Sequence, residues 1–299
     1  MEVLLATDGS SPADKAVSLL EKIGNRDGLN VTVFSVVSFA LALEQGAAKV
    51  GHYSVEEGRR YVATAVDRSV AELTDAGFTA TGRIADGDPA LEIVSAAEQG
   101  AHDLVLLGSG STSWIGQLML GSVSNKVLHG SSSSVLIVHK VLDDDNGSVL
   151  VGVDGSAGSQ AAVRCIEGFA DPARTRVSVM AVAAAGASEN ASRLGIPDSE
   201  ESPEGIKEIK EKVLAEAHDH SAVAAERLRD AGFEVDTIVH PGSPAELLLK
   251  EAESGDFDVV AVGARGSGPF PRTILGSVSD KVARSAAAAL IGRAGPPTS

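Results

Sequence analysis

The chain has 299 residues, 43% hydrophobic but only 3% aromatic, and its 41 acidic and 25 basic residues give a formal net charge of −16. That suffices for one large or two ordinary domains with a core of Val, Leu, Ile and Ala, and the acidity speaks against nucleic acid or an anionic membrane surface as partner. The single cysteine, Cys165, excludes a disulfide framework and fits a reducing compartment. The opening "MEVLLATDGS" has no basic leader and no stretch reaches the roughly 18 apolar residues of a membrane span, so a cytoplasmic location is expected.

In chain order, residues 3–7 are a short apolar run and predict a strand. "SPADKAVSLLEKI" opens on a Ser cap with Pro12 in the first turn and spaces Ala16, Leu19, Leu20 and Ile23 as a helix. "NVTVFSVV" is a β-branched strand, residues 55–76 read as a long helix, and "FTATGRIADG" alternates loosely like a strand. "PALEIVSAAEQG" is a helix closed by Gly100, and "DLVLLG" is a continuous apolar strand of the buried parallel type. A glycine loop, a further helix and the strand "SVLIV" complete five strands and four helices.

The pattern then repeats. "VLLATDGSSPADKAV" at Val3 matches "VLVGVDGSAGSQAAV" at Val149, "HDLVLLGSGS" matches "FDVVAVGARG", and "LGSVSNKVL" matches "LGSVSDKVA". Asp8 to Asp154 is 146 residues, whereas Gly108 to Gly263 and Gly121 to Gly276 are each 155. The second copy therefore holds about nine extra residues, placed in the polar, acidic stretch 185–205, which is expected to be a mobile lid. A period this long marks a duplicated domain rather than a solenoid repeat. Residues 1–140 and 147–299 are the two expected domains, with "DDDNG" at 143–147 as linker. Alternating strands and helices on short loops imply an α/β fold, two five-stranded parallel doubly wound domains, with ligands outside the carboxyl ends of the strands.

The chemistry is concentrated after the fourth strand of each copy. In copy two, Gly263 and Gly266 follow the strand and Gly276-Ser277 opens a helix nine residues later. Bare glycines free to take positive φ, followed by a helix N-terminus with a hydroxyl, suit a phosphate; the same glycines also serve plain caps and turns. Neither a Gly-x4-Gly-Lys-Ser/Thr nor a Gly-x-Gly-x-x-Gly after the first strand is present. Asp8-Gly9-Ser10 and Asp154-Gly155-Ser156 stand there instead; their carboxylates would repel phosphate, accept a hydrogen bond from adenine or ribose, or cap a turn.

Gly-x2-Gly-x9-Gly-Ser after the fourth strand, with Asp after the first, resembles the universal stress protein (UspA) family in its tandem two-domain form. The resemblance implies adenine nucleotide alpha hydrolase-like domains joined as an internal pseudo-dimer through the exposed apolar strands "SVLIV" and "ALIGR". It implies a regulatory stress-response protein that binds ATP, with Mg²⁺ carried by the phosphates, or AMP or ADP. Asp154 and Val182 would then meet the adenine end, and Gly263, Gly266, Gly276 and Ser277 the phosphates and ribose. In copy one the matching positions are Asp8, Val36, Gly108, Gly121 and Ser122, but Ser111 stands where the second glycine belongs. A left-handed Ser costs roughly 1–2 kcal/mol, so copy one is expected to bind about tenfold or more weakly.

No catalytic residue and no metal site is expected, and any ATP hydrolysis would be slow. The partners would be an adenine nucleotide and an unidentified regulatory protein, with no nucleic acid and no membrane; a homodimer stays open. The alternatives are an enzyme of the same fold, such as an ATP-dependent ligase, a nucleotidyl transferase or a flavin-binding electron-transfer subunit, or a structural member that binds no nucleotide. Cys165 reads as a small buried hydrophobe. His218 and His220, two apart on a helix, point to different faces, and Trp114 reads as packing in the copy-one loop.

Overall fold

The computed structural model describes residues 1–38, 55–109, 111–112, 118–143, 146–184, 203–254, 257–266 and 275–294. The first half runs β1 (Glu2–Ala6), α1 (Ser11–Ile23), β2 (Asn30–Val37), α2 (Val55–Asp75), β3 (Thr79–Asp86), α3 (Pro89–Gln99), β4 (Leu104–Gly108), the short pair β5 (Ser111–Thr112) and β6 (Leu118–Met119), α4 (Ser122–Gly130) and β7 (Ser134–Val138). The second runs β8 (Gly147–Val153), α5 (Ala157–Phe169), β9 (Thr175–Ala184), α6 (Pro203–Asp230), β10 (Glu234–Gly242), α7 (Pro244–Ser254), β11 (Val259–Gly263), α8 (Ser277–Ser285) and β12 (Ala288–Gly292). Gly147, read as linker, is the first residue of β8. Most of the acidic insertion lies outside the described residues, as does Trp114.

The ten main strands form one sheet in the order β10-β9-β8-β11-β12-β7-β4-β1-β2-β3. Every neighbouring pair is parallel except β12 with β7, which is antiparallel and joins the halves. Leu290 pairs with Leu136, the middle residues of the two strands, so a pseudo-two-fold axis passes between them. Pairing satisfies the backbone groups that two apolar edges would otherwise expose. The pseudo-dimer expected from "SVLIV" and "ALIGR" is thus a continuous sheet.

Strand residues alternate between two cores. Val3, Leu5, Leu104 and Leu106 pack with α1, α2, α5 and α6 on one face. Leu4, Ala6, Val105 and Leu107 pack with α3, α4, α7 and α8 on the other. Both faces are covered, which is why these strands read as continuous apolar runs rather than alternating ones. In the first half the sequential order turns back between β1 and β4, and in the second between β8 and β11. These switch points open clefts at the strands' carboxyl ends.

Side chains also cross between the halves. Arg293, just after β12, donates through Nη2 to the Leu128 carbonyl in the last turn of α4. His139, just after β7, holds the Ala283 carbonyl of α8 at 2.9 Å from its Nε2. Each switch-point helix is therefore capped at its C-terminus by the opposite half. Lys22 of α1 reaches Asp258 Oδ1 at 2.8 Å, with side chains 9% and 0% exposed. The second oxygen of Asp258 accepts from the Ser148 amide at 3.0 Å.

Two local readings change. Ser10, not Ser11, is the cap residue of α1, and its hydroxyl serves Asp8 instead of the helix. Gly100 does close α3, but at φ −86; the left-handed residue is Ala101 at φ 49. A β-carbon on Gly100 would sit 2.3 Å from the His102 ring, so a close approach explains this glycine.

Candidate functional site

The Asp-Gly-Ser turns are built alike. Asp8 Oδ1 accepts from the Ser10 amide at 3.0 Å and the Ser10 hydroxyl at 2.5 Å. Asp154 Oδ1 accepts from the Ser156 amide at 3.1 Å and its hydroxyl at 2.6 Å. Each Asp thus ties an Asx turn with one oxygen, the turn role weighed for it in the sequence. The positive φ lies at the intervening glycine, Gly9 at 75° and Gly155 at 74°. A β-carbon on Gly9 would meet Ala65 Cβ at 2.9 Å, and one on Gly155 the His220 ring at 2.3 Å. Asp-Gly as a turn signal could have found both positions in the sequence. His220 is engaged there and His218 does not join it; among the described residues no cluster could hold a metal.

The glycines after β4 and β11 have a different task from the one expected. Neither Gly263 nor Gly266 has a positive φ, and Ser111 lies in the extended β5. A β-carbon on Gly108 would fall 1.9 Å from the Pro12 carbonyl oxygen, and one on Gly263 2.5 Å from the Gly158 backbone. These two are bare so that the first turns of α1 and α5 can cross the strand ends. A β-carbon on Gly266 would stand 2.6 Å from Asp154 Oδ2. The conformational reason given for weaker binding in copy one is therefore overturned.

Gly121 behaves as a ligand-facing glycine would. It caps α4 with φ −58 and ψ 156, no side chain caps the helix, and the nearest atom to an added β-carbon is Ser124 Oγ at 4.0 Å. The amides of Ser122 and Val123 begin a helix whose dipole favours an anion. Gly276 is placed likewise before α8, but its amide already donates to the Ala264 carbonyl at 2.9 Å. The first-half counterpart is long, 3.5 Å from the Gly121 amide to Ser109 Oγ.

A cavity of about 270 Å³ gathers Asp8, Val36, Gly108, Gly121 and Ser122, over a floor that includes Phe34. All five first-half site residues named from the sequence meet in it. The second-half cavity is about 110 Å³ and gathers Asp154, Val182, Gly263 and Gly266, with Arg265 and Met180. Gly276 and Ser277 do not line it, although Val278 of the same helix does. Small-molecule sites are usually about 300 Å³ or larger, so the first-half cavity lies nearer that size. Phe34 and Met180 escaped the sequence reading, because nothing in an apolar strand marks which side chain ends beneath a cleft; Arg265, in the loop just after β11, stands between the two glycines on which that reading rests. Cys165 is buried in the core, where burial pushes its thiol up to about 12.

Comparison with known proteins agrees with this architecture. The model of the universal stress protein family matches residues 1–139 and again 146–291. A universal stress protein of Mycolicibacterium smegmatis is 26% identical over 298 residues, covering 95% of this chain and 94% of its own. One from Mycobacterium tuberculosis is 26% identical over 292 residues, with coverages of 95% and 94%. Among solved structures, a universal stress protein from Archaeoglobus fulgidus covers 98% of both chains with a TM-score of 0.68 at 22% identity, which shows the shared fold.

Proposed function

Since the chain belongs to the universal stress protein family, as a tandem of two such domains, we propose that it is an adenine-nucleotide-binding regulatory protein of the stress response, working in the cytoplasm. The observation that carries the reading is the first-half cavity, where a carboxylate, an apolar floor and an uncapped helix N-terminus meet at the switch point. The parts suit an adenine nucleotide. Phe34 and Val36 offer apolar surface to a base, and the oxygen of Asp8 not used in the turn can accept from the exocyclic amine. The bare Gly121 and the amides and hydroxyl at Ser122 can receive a phosphate. Mg²⁺, when carried by the phosphates, would supply charge neutralisation. The second half repeats the plan through Asp154, Val182, Gly263 and Gly266, with Gly276 and Ser277 beginning the adjoining helix.

As a regulator the protein would hydrolyse ATP slowly at most, because each site carboxylate is committed through Oδ1 to its own turn. Mass spectrometry of small molecules released on denaturing the purified protein tests the reading. An adenine nucleotide in near-stoichiometric amount is expected; a flavin or an acyl adenylate would favour an enzyme of related fold.

A further inference from the structure

The Asp8-Gly9-Ser10 turn has a cavity on each side. Asp8 and Ser10 line the candidate nucleotide cavity, whereas Gly9 lines a separate one of about 410 Å³ with Glu57, Arg60, Tyr61, Thr64, Ala65 and Arg68 of α2. That volume is within the range of small-molecule sites, roughly 300–1,000 Å³. Arg68 is already held, its Nη2 2.5 Å from Asp14 Oδ1 and its Nε 3.8 Å from Glu72 Oε1. The Thr64 hydroxyl donates to the Arg60 carbonyl at 3.0 Å, which leaves it an acceptor. Among the described residues, the Arg60 guanidinium and the Tyr61 hydroxyl have no partner. The Tyr61 hydroxyl stands against the bare face of Gly9, 3.2 Å from where a β-carbon would sit, and the residue is 42% exposed.

These residues are particular to the first half. Phe78 and Phe233, which follow α2 and α6, are 155 residues apart, so Arg60, Tyr61, Ala65 and Arg68 correspond to Ala215, Glu216, His220 and Val223. In the second half the His220 ring fills the place beside the turn, 2.3 Å from where a β-carbon on Gly155 would sit, and neither arginine is present. A guanidinium and a phenol hydroxyl beside an aromatic face suit a planar carboxylate on an apolar body. The nearby acids Glu57, Asp14 and Glu72 oppose a phosphate dianion more than a singly charged group. We propose that this cavity is a binding site for a small monocarboxylic acid, its carboxylate on Arg60 and Tyr61 and its apolar body against the Tyr61 ring and Ala65. The site does not depend on what fills the neighbouring cavity.

Ligand-observed NMR on the whole chain tests it, with benzoate as the probe and benzamide and phenyl phosphate for comparison. Saturable benzoate binding in the millimolar range or tighter is expected, with benzamide and phenyl phosphate each weaker. Arg60→Gln should weaken benzoate about tenfold, the worth of one charge-assisted hydrogen bond, and Arg60→Lys should recover part of the loss. Ala65→His, which places beside Gly9 the ring that His220 places beside Gly155, should remove binding. Arg227→Gln, at an exposed arginine of α6, should change nothing. The site is overturned by no saturable benzoate binding, by benzamide binding as well as benzoate, or by phenyl phosphate binding more tightly. Benzoate affinity indifferent to Arg60→Gln and Ala65→His, in variants that melt like the parent, overturns it equally.

Discussion

The Asp154 carboxylate stands against the bare face of Gly266, its Oδ2 2.6 Å from where a β-carbon would sit. Because Oδ1 is tied to Ser156, the carboxylate cannot swing aside without loosening the turn. Gly266→Ala should therefore lower ATP affinity in the second half by about tenfold, roughly 1.4 kcal/mol. Ser111→Gly should leave first-half binding within twofold, since Ser111 is extended. Titration of both variants checks this; a gain of binding from Ser111→Gly would restore the conformational explanation.

Gly108 and Gly263 should behave as packing residues. An added methyl would strike the Pro12 carbonyl or the Gly158 backbone, neither of which moves without shifting a helix. Overpacking of this kind costs about 1–3 kcal/mol, so Gly108→Ala and Gly263→Ala should each lower the urea midpoint. Unchanged stability with lost binding would mean that these glycines face the ligand instead.

His139 makes stability depend on pH. Burial lowers its pKa from 6.5, with the Lys15 charge adding to the effect, while its bond to the Ala283 carbonyl partly opposes it. The unfolded chain then binds the proton more readily, so this contribution is fully present above about pH 6.5 and is lost as pH falls through the folded value. His139→Gln keeps a donor for Ala283 and should flatten the stability profile below that pH. An equally steep acid limb in the variant would place the titration elsewhere.

The buried Lys22–Asp258 pair holds α1 of one half to the start of β11 in the other. Removing the cation leaves Asp258 charged, buried and only partly satisfied by Ser148. Lys22→Met should destabilise by about 3–5 kcal/mol. Denaturant unfolding reads this directly, and a loss under about 1 kcal/mol, the level of exposed pairs, would contradict it.

Much of the fold was legible because the chain states it twice. Strands buried on both faces print as "DLVLLG" and "VVAV", and duplicated apolar last strands point to each other. Of the candidate site residues, the structure brings Asp8, Val36, Gly108, Gly121 and Ser122 around one cavity and Asp154, Val182, Gly263 and Gly266 around another, without Gly276 and Ser277. What each glycine does was not legible. A missing side chain looks the same in sequence whether it leaves open space before a helix, as at Gly121, or admits a crossing helix, as at Gly108. Residues 185–202 of the insertion, and with them its reading as a lid, lie outside the described residues, while its last three, Pro203 to Gly205, begin α6 instead of a loop.

The most direct test of adenine-nucleotide binding is calorimetric titration of Asp8→Asn, Asp154→Asn and the double variant against the parent. An Asn Oδ1 can still accept the turn hydrogen bonds, while its amide turns the other oxygen from acceptor to donor and so opposes an adenine amine. The account predicts parental melting for all three, one site lost in each single variant and none left in the double. Saturable binding that survives in the double variant, or no binding by the parent, would contradict it.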